Sequence, residues 1–282
     1  MTSIPGEHAA GSGPDLVLLH GLGSRWQAFT PILPALEREH RVLALDLPGF
    51  GARADEPLAD MSLGGLADWV SAELSRRGIR APHVVGFSMG GGIALELARR
   101  GFAGRVTAFA PIGFWNEPER RWGRGMLRLL RVAAETFPGP LARALRTRPA
   151  RAALLAVTNG RPTRVNPDDA ISDLHALAAS RGFEPARTAF RTQGMVPEAR
   201  RVPATIVWGR RDVLLWGLTQ PQRARRAWPH ARHLLLGGCG HIPFSDAPDR
   251  TAAAILAAPP SPPARPFASP GLSSTPTPEH TA

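Results

Sequence analysis

Short, continuous apolar runs recur along the first 110 residues of the chain. They lie at residues 15–20, 41–46, 84–87 and 105–110. Runs of this length, without regular polar alternation, are typical of strands that are buried on both faces of a parallel sheet. Two more runs, at residues 204–208 and 231–236, predict further strands of the same kind near the end of the chain.

Between these runs, apolar residues recur every three or four positions, which indicates amphipathic helices. Such helices are predicted to begin at Ser24, at Ser62, directly after Ser88, near Gln220 and at Asp246. The first of them extends to about residue 39 and contains Pro34. Because connections of helical length join parallel strands, the pattern predicts an α/β fold with an open, mostly parallel sheet and helices on both faces.

The alternation stops between residues 113 and 201, where every predicted element is a helix. Further helices are expected over residues 141–157 and 168–179, the second after an Asn166 cap with Pro167 in first position. The helix predicted at the start of this block, before residue 141, separates its side chains onto two faces. Trp122, Met126, Leu129, Leu130 and Ala133 lie on one face, and Arg121, Arg124, Arg128 and Arg131 lie on the other. A helical block in this position, after the strand that ends near Ala110, is typical of a lid over the carboxyl edge of the sheet.

These elements divide the chain into four predicted parts. Residues 1–112 and 202–257 form the two parts of the sheet core, and residues 113–201 form the helical lid. Residues 258–282 are mostly Pro, Ser, Thr and Ala, with too little apolar surface to offset the entropy of ordering. We expect this tail to be disordered.

The turn after the third apolar run has the composition of a nucleophile turn. A β-branched pair is followed by Gly86-Phe87-Ser88-Met89-Gly90 and then by helix-forming residues. A sharp turn between a strand and a helix crowds the positions two before and two after its apex, and glycine has no Cβ to clash there. The apex serine is thereby lifted out of the strand, where its hydroxyl is exposed to a substrate.

Ligands bind at the carboxyl ends of strands in open parallel sheets, and three reactive side chains directly follow predicted strands. Ser88 needs a base to make its hydroxyl nucleophilic, and the imidazole of His241 titrates in the required range. The carboxylate of Asp212 can fix the tautomer of that imidazole and stabilise its positive charge. These three residues are the predicted catalytic groups.

Five sequence features together resemble the α/β-hydrolase family over about residues 14–256. They are the His-Gly loop at residue 20, the Asp-Leu-Pro-Gly-Phe-Gly turn at residues 46–51, the nucleophile turn, the Trp-Gly-x-x-Asp segment that ends at Asp212, and the final Gly-His. The chain order of serine, acid and histidine also matches that family. The resemblance implies that the backbone N–H groups of Leu22 and Met89 form the oxyanion hole.

Each of these assignments has an alternative. Asp246 and Glu117 are the next candidates for the acid, although Asp246 fits better as the cap of the last helix. His20 fits a structural hydrogen bond in its loop, and Asp46 fits a turn-fixing acceptor. Cys239 lies close enough to the histidine to suggest a thiol mechanism, which the serine in the nucleophile turn disfavours.

Substrate specificity is expected to depend on the predicted lid. Its apolar side chains Trp115, Trp122, Met126 and Met195 are candidates to line an acyl or alcohol pocket, or equally to be core packing. Residues 113–201 also contain sixteen arginines and eight acidic residues. Arginines that face the cleft would favour an anionic substrate, whereas the helical spacing favours a solvated face for one group of them.

Composition adds few constraints. The net charge of +11 comes from arginine alone, and no basic run interleaved with aromatic residues suggests nucleic-acid binding. A single cysteine excludes an intramolecular disulfide and fits a reducing compartment. No signal sequence or membrane-spanning stretch is predicted. We expect a cytoplasmic protein with a small-molecule substrate, without metal, cofactor, nucleic-acid or membrane partner; the oligomeric state is left open.

The sequence therefore predicts a serine hydrolase that cleaves an ester, lactone or thioester through an acyl-enzyme. Carbon–carbon bond hydrolysis of a diketone, and perhydrolase or haloperoxidase-like activity, are compatible with the same triad. Serine at the turn argues against the branches of the family that use Asp or Cys there. A non-catalytic receptor on the same scaffold is the alternative from another functional class.

Overall fold

A seven-stranded sheet runs through the part of the chain that the computed structural model describes, residues 4–199 and 202–257. The strands are β1 (Glu7–Ala10), β2 (Asp15–Leu19), β3 (Arg41–Leu45), β4 (His83–Phe87), β5 (Arg105–Phe109), β6 (Ala204–Gly209) and β7 (Arg232–Leu236). Their spatial order is β1-β3-β2-β4-β5-β6-β7. β1 is antiparallel to β3 and the other neighbours are parallel. The predicted open, mostly parallel sheet is confirmed.

Helices connect the strands within the same described residues. They are α1 (Leu33–Leu36), α2 (Leu63–Arg76), α3 (Met89–Arg99), α4 (Glu117–Thr136), α5 (Pro138–Leu145), α6 (Arg148–Leu154), α7 (Pro167–Ala179), α8 (Phe183–Ala189), α9 (Gln220–Ala227), α10 (Pro243–Asp246) and α11 (Pro248–Leu256). Helices α4 to α8 lie between β5 and β6 along the chain. None of the helices in the described ranges is both long and apolar enough to cross a bilayer.

The sheet has an apolar layer on each face, because its central strands are buried on both sides. In β2, Val17 and Leu19 belong to the layer formed with α2 and α3, whereas Leu16 and Leu18 belong to the layer formed with α1 and α11. The second layer contains a cluster of four phenylalanines in which Phe244 contacts the other three rings. This alternation explains why the strands read as continuous apolar runs.

The N-terminal strand β1 was not predicted. Residues Glu7–Ala10 pair with Leu45 to Val42 of β3 and close one edge of the sheet. The segment is short, half polar and rich in alanine, so nothing in its pattern separates it from a loop. Its strand conformation comes from pairing with a neighbour, which is a tertiary effect.

The prediction of one helix from Ser24 to residue 39 is wrong. The structure has a single 3-10 turn at Trp26–Phe29 and the four-residue helix α1. Pro31 and Pro34 each remove a backbone donor, so a continuous helix cannot form across them. Ser24 therefore caps no helix, whereas Ser62 does cap α2, accepting a hydrogen bond of 3.2 Å from the Gly65 N–H.

The helical segment between β5 and β6 differs from its prediction in two places. The helix expected over residues 141–157 is split into α5 and α6, and the break precedes Pro149. In α4, Arg121 and Arg128 are exposed as expected, but Arg124 and Arg131 are turned inward onto backbone carbonyl groups. The Asn166 cap of α7 and its Pro167 are as predicted. The tail at residues 258–282 lies outside the described residues.

Candidate active site

Ser88 occupies the apex of the turn between β4 and α3 in a strained backbone conformation. Its φ is 56° and its ψ is −116°, a combination that residues with a side chain rarely adopt. Glycine is needed on both sides of it. A Cβ on Gly86 would lie 2.1 Å from the Gly90 carbonyl oxygen, and a Cβ on Gly90 would lie 2.0 Å from that of Leu19. The turn is therefore fixed by close backbone packing.

Asp212 and His241 form a buried pair at the carboxyl ends of β6 and β7. The His241 Nδ1 and an Asp212 carboxylate oxygen are 2.9 Å apart. The other carboxylate oxygen of Asp212 accepts a hydrogen bond of 2.9 Å from the Leu215 N–H, which fixes its orientation. In the neutral tautomer whose Nδ1–H donates to this carboxylate, Nε2 carries a lone pair that can accept a proton.

Ser88 lies at the same edge of the sheet as this pair. Phe87, the residue before it, packs edge-on against Phe244, three residues after His241, with 5.3 Å between the ring centroids. In the part of the chain that the structure describes, no hydrogen bond joins the Ser88 hydroxyl to the His241 ring. Both side chains are almost completely buried. Such serine–histidine hydrogen bonds are often loose in the absence of substrate.

The two backbone N–H groups predicted for the oxyanion hole belong to elements that meet beside Ser88. Met89 is the first residue of α3, where a backbone N–H has no partner within its own helix. Leu22 lies in the loop after β2, and a Cβ on the adjacent Gly21 would lie 3.2 Å from the Ser88 Cβ. Among the described residues, no acceptor is hydrogen-bonded to either N–H. Both are thus free to bind an oxyanion.

The His20 ring supports this loop from within. Its Nε2 accepts a hydrogen bond of 2.9 Å from the Leu47 N–H, and its Nδ1 is 2.8 Å from the Gly21 carbonyl oxygen. Burial lowers the pKa of His20, which keeps the ring neutral for these two roles. Asp46 has a similar supporting function, since its carboxylate accepts hydrogen bonds from the Trp26 and Ala52 N–H groups.

The sequence suggested that Asp246 caps the last helix, and this prediction is wrong. Ala247 occupies the position before α11, and the Asp246 carboxylate instead accepts three backbone hydrogen bonds of 2.7 Å, from Gly160, Arg161 and Gly240. It is completely buried and does not contact the histidine ring. Its two oxygens thereby join the loop that contains the histidine to the loop that follows α6.

The remaining alternatives for the acid and the nucleophile are poorly suited to those roles. Glu117 is exposed at the start of α4, where it forms ion pairs with Arg120 and Arg121. Cys239 is buried, and burial raises the pKa of its thiol, which disfavours the thiolate that a nucleophile requires. The residues described contain no cluster of His, Cys, Asp and Glu that could hold a metal ion.

The helical segment contacts the loops that follow four of the strands. A Cβ on Gly23 would lie 2.4 Å from Leu177 of α7, and Gly182 donates a hydrogen bond of 2.9 Å to the Gly49 carbonyl. At the loop after β6, the Trp122 Nε1–H donates a hydrogen bond of 2.9 Å to the Val213 carbonyl. At the loop after β7, Gly160 contacts Asp246 and the residues directly before His241. The segment therefore lies over the carboxyl edge of the sheet.

Two of the four residues predicted to bind substrate line one cavity. Trp115 and Met195 line one cavity of about 180 Å³ where the helical segment begins and ends, together with Arg120 and Arg223. Trp122 contacts the loop after Asp212 instead, and Met126, one turn further along α4, is half-buried.

Comparison with known proteins shows the family to which this chain belongs. The sequence profile of the alpha/beta hydrolase family matches residues 16–254. An uncharacterised protein of Mycobacterium bovis is 30% identical over 261 residues, which cover 86% of this chain and 74% of that protein. A pimeloyl-[acyl-carrier protein] methyl ester esterase of Shewanella sp. (strain MR-7) is 30% identical over 250 residues, covering 83% and 86% of the two chains.

A solved structure shows the same fold at lower sequence identity. The thermophilic esterase from Thermogutta terrifontis superposes with a TM-score of 0.69 at 21% identity, over 89% of this chain and 90% of that one. The chain belongs to the alpha/beta hydrolase family. The resemblance drawn from its five sequence features is thereby confirmed.

Proposed function

We propose that this protein is a serine hydrolase that cleaves a carboxylic ester, lactone or thioester through an acyl-enzyme on Ser88. The observation that supports it best is the buried 2.9 Å contact between His241 and Asp212 at the sheet edge where Ser88 occupies its strained turn. A strained serine beside a histidine oriented by a carboxylate is the arrangement that acyl transfer requires.

The reaction follows from the position of each group. The His241 Nε2 takes the Ser88 hydroxyl proton as Oγ forms a bond to the substrate carbonyl carbon, and Asp212 stabilises the resulting imidazolium. The carbonyl oxygen becomes an oxyanion that the Leu22 and Met89 N–H groups bind, each contributing about 3 kcal/mol. The tetrahedral intermediate then collapses, and the imidazolium protonates the departing alcohol or thiol.

Deacylation repeats these steps with water. His241 removes a proton from the water molecule as its oxygen attacks the acyl carbon, and the same proton returns to Ser88 when the ester bond to the enzyme breaks. The products are a carboxylic acid and the free serine. No cofactor is needed for this sequence of steps.

Two observations favour a carboxylic ester as substrate. The relative from Shewanella is named for a methyl ester on an acyl chain, and it aligns along most of both chains. The helical segment also covers the carboxyl edge, and apolar residues such as Trp115 and Met195 line a cavity at its base. In this proposal the segment at residues 113–201 acts as the lid, and that cavity lies next to the substrate path.

A fluorophosphonate probe and a soluble ester test the proposal together. We expect the probe to label Ser88 and the wild-type protein to turn over p-nitrophenyl acetate, with both signals abolished in Ser88→Ala. Ser75→Ala, an exposed serine of α2, is the matched control and should leave both unchanged. Undiminished turnover in Ser88→Ala contradicts the mechanism. A wild-type protein that binds esters without labelling or turnover is instead a receptor.

A further inference from the structure

Helix α4 exposes part of its apolar face and buries part of its charged face. This is the reverse of the arrangement that is favourable for a helix at a protein surface in water. Four large apolar side chains at the surface belong to α4 and its last turn, with exposed fractions of 42% for Trp122, 60% for Leu129, 46% for Val132 and 57% for Phe137. With 3.6 residues per turn, Trp122, Leu129 and Val132 fall within about 100° of one another around the helix axis. We call these four residues the α4 apolar face.

The opposite side of α4 is the one that packs against the rest of the protein. Arg131 donates to the carbonyl groups of Leu177 and Ser180, and its guanidinium lies 5.3 Å from the ring centroid of Phe183. Ala134 is fully buried. These contacts fix the rotation of the helix, so the α4 apolar face cannot turn inward without breaking them.

The surroundings of this face are basic. Arg121 and Arg128 are exposed on α4 beside it. Helix α5, which follows Phe137 directly, helix α6 and the turn between them contain four arginines and no acidic residue. Three of these, at positions 143, 146 and 148, are exposed, whereas Arg151 is buried against backbone carbonyls. Arg121 and Arg146 form ion pairs with Glu117 and Asp168, so the positive charge that borders this apolar face comes mainly from Arg128, Arg143 and Arg148.

We propose that the α4 apolar face binds an anionic lipid surface. A helix with a broad apolar face, Trp and Phe among its residues and arginines at its border is suited to lie in the interface of a bilayer, with phosphate head groups against the arginines. A second copy of this chain fits poorly, because pairing two such faces would bring the arginines of both copies together. This proposal departs from the sequence-based expectation of no membrane partner, which was based on the lack of a predicted spanning segment.

Binding in this orientation has a consequence for the candidate active site. The Trp122 indole donates to the carbonyl of Val213, the residue directly after Asp212. Val213 and Trp216 of that loop are themselves about half exposed. A lipid surface on α4 would thus lie beside the loop that positions the catalytic acid, which favours esters that reside in the membrane as substrates.

Vesicle flotation tests the proposal independently of catalysis. We expect the full chain, and equally Ser88→Ala, to float with vesicles of phosphatidylcholine and phosphatidylglycerol and to release at high salt. Vesicles of phosphatidylcholine alone should bind it at least about tenfold more weakly, since each arginine near an anionic surface contributes about fivefold. Arg128→Gln and Arg143→Gln should each weaken binding by about fivefold.

A matched pair of variants separates this face from hydrophobicity in general. Leu129→Glu should weaken binding by about tenfold or more and leave turnover of p-nitrophenyl acetate unchanged. Leu235→Glu, an equally drastic change at an exposed leucine of β7, should bind as the wild type does. Equal losses in both variants, binding that ignores lipid charge, or a Leu129-dependent dimer in sedimentation without vesicle binding would each overturn the proposal. Capture of an acidic protein without vesicle binding would also overturn it.

Discussion

The Asp246 carboxylate accepts a hydrogen bond of 2.7 Å from the backbone N–H of Gly160, a residue 86 positions away along the chain. The same oxygen accepts another from the Gly240 N–H, directly before His241. One buried carboxylate thus fixes the histidine loop to the helical segment above the sheet. It sits where an alternative catalytic acid would be sought, but its lone pairs are occupied by backbone donors.

Asp246→Asn should therefore lower the unfolding free energy and displace the His241 loop, while the groups proposed to carry the reaction stay in the protein. The amide replaces one acceptor by a donor that faces backbone N–H groups, and a hydrogen bond to a charged group contributes about 1.5–3 kcal/mol. We expect a comparable loss of unfolding free energy in urea titrations and a kcat reduced by about 10- to 100-fold. Asp249→Asn, on the exposed first turn of α11, is the control. A complete loss of activity in a folded Asp246→Asn protein would contradict this.

Asp212→Asn should abolish nearly all turnover while leaving the protein folded. Its side chain can still contact the His241 Nδ1 but no longer holds the correct tautomer or stabilises the imidazolium. The expected loss in kcat is about 10⁴-fold, with little change in KM. Steady-state kinetics with p-nitrophenyl acetate measure kcat and KM, and a thermal melt shows whether the variant is folded. If the loss is only tenfold, another carboxylate is the acid.

Gly90→Ala should be strongly destabilising. The new Cβ would lie 2.0 Å from the Leu19 carbonyl oxygen, a backbone atom of the neighbouring strand that cannot move alone. We expect a loss of about 3 kcal/mol or more in unfolding free energy. Gly139→Ala, in helix α5, is the matched control, because no atom lies within 4 Å of the position that its new methyl group would take. That variant should be unchanged or more stable by up to about 1 kcal/mol.

The stability of the fold should fall with decreasing pH below about 6.5, in part because of His83. Burial, aided by Arg105 and His40, lowers the pKa of His83 to about 3, and its Nε2 lies 3.0 Å from the Thr107 hydroxyl. Between about pH 6.5 and pH 3 the unfolded chain binds a proton at this histidine that the folded chain does not. Each pH unit within that window therefore removes up to about 1.4 kcal/mol of unfolding free energy.

Urea titrations at pH 7 and pH 5 measure this effect of His83. His83→Gln removes the titrating group while its amide can still bond to Thr107, so the stability of this variant should depend less on pH. His175→Gln, at an exposed position of α7, should keep the wild-type dependence. An unchanged pH dependence in His83→Gln would assign the effect to other groups. His40 is the first candidate among them, because burial lowers its pKa as well.

The sequence was sufficient for the central sheet because each buried strand is a local apolar run. Ser88 could be singled out for a related reason, since it directly follows such a run. Asp212 and His241 were found in the loops after the strands predicted at residues 204–208 and 231–236. The buried contact between Asp212 and His241 agrees with their predicted pairing, while their catalytic roles and those of Leu22 and Met89 stay predictions.

Features that depend on distant contacts could not be read in this way. Strand β1 forms only because β3 offers it an edge. The partners of Asp246 lie in part on another element far along the chain, so local sequence suggested a helix cap instead. For α4 the periodicity was right, but periodicity does not say which face packs inward, and Arg131 was found on the packed side.

The helical segment separates the two halves of the sheet by about ninety residues, and β6 reaches β5 only across that distance. A ribosome that has completed α3 has already produced the serine, whereas the acid and the imidazole emerge much later. In the proposed mechanism, the nascent chain therefore carries the nucleophile Ser88 without its acid and base until β6 and β7 have joined the sheet. Activity would then report completion of the whole polypeptide, and a translation product truncated before β7 would be inert.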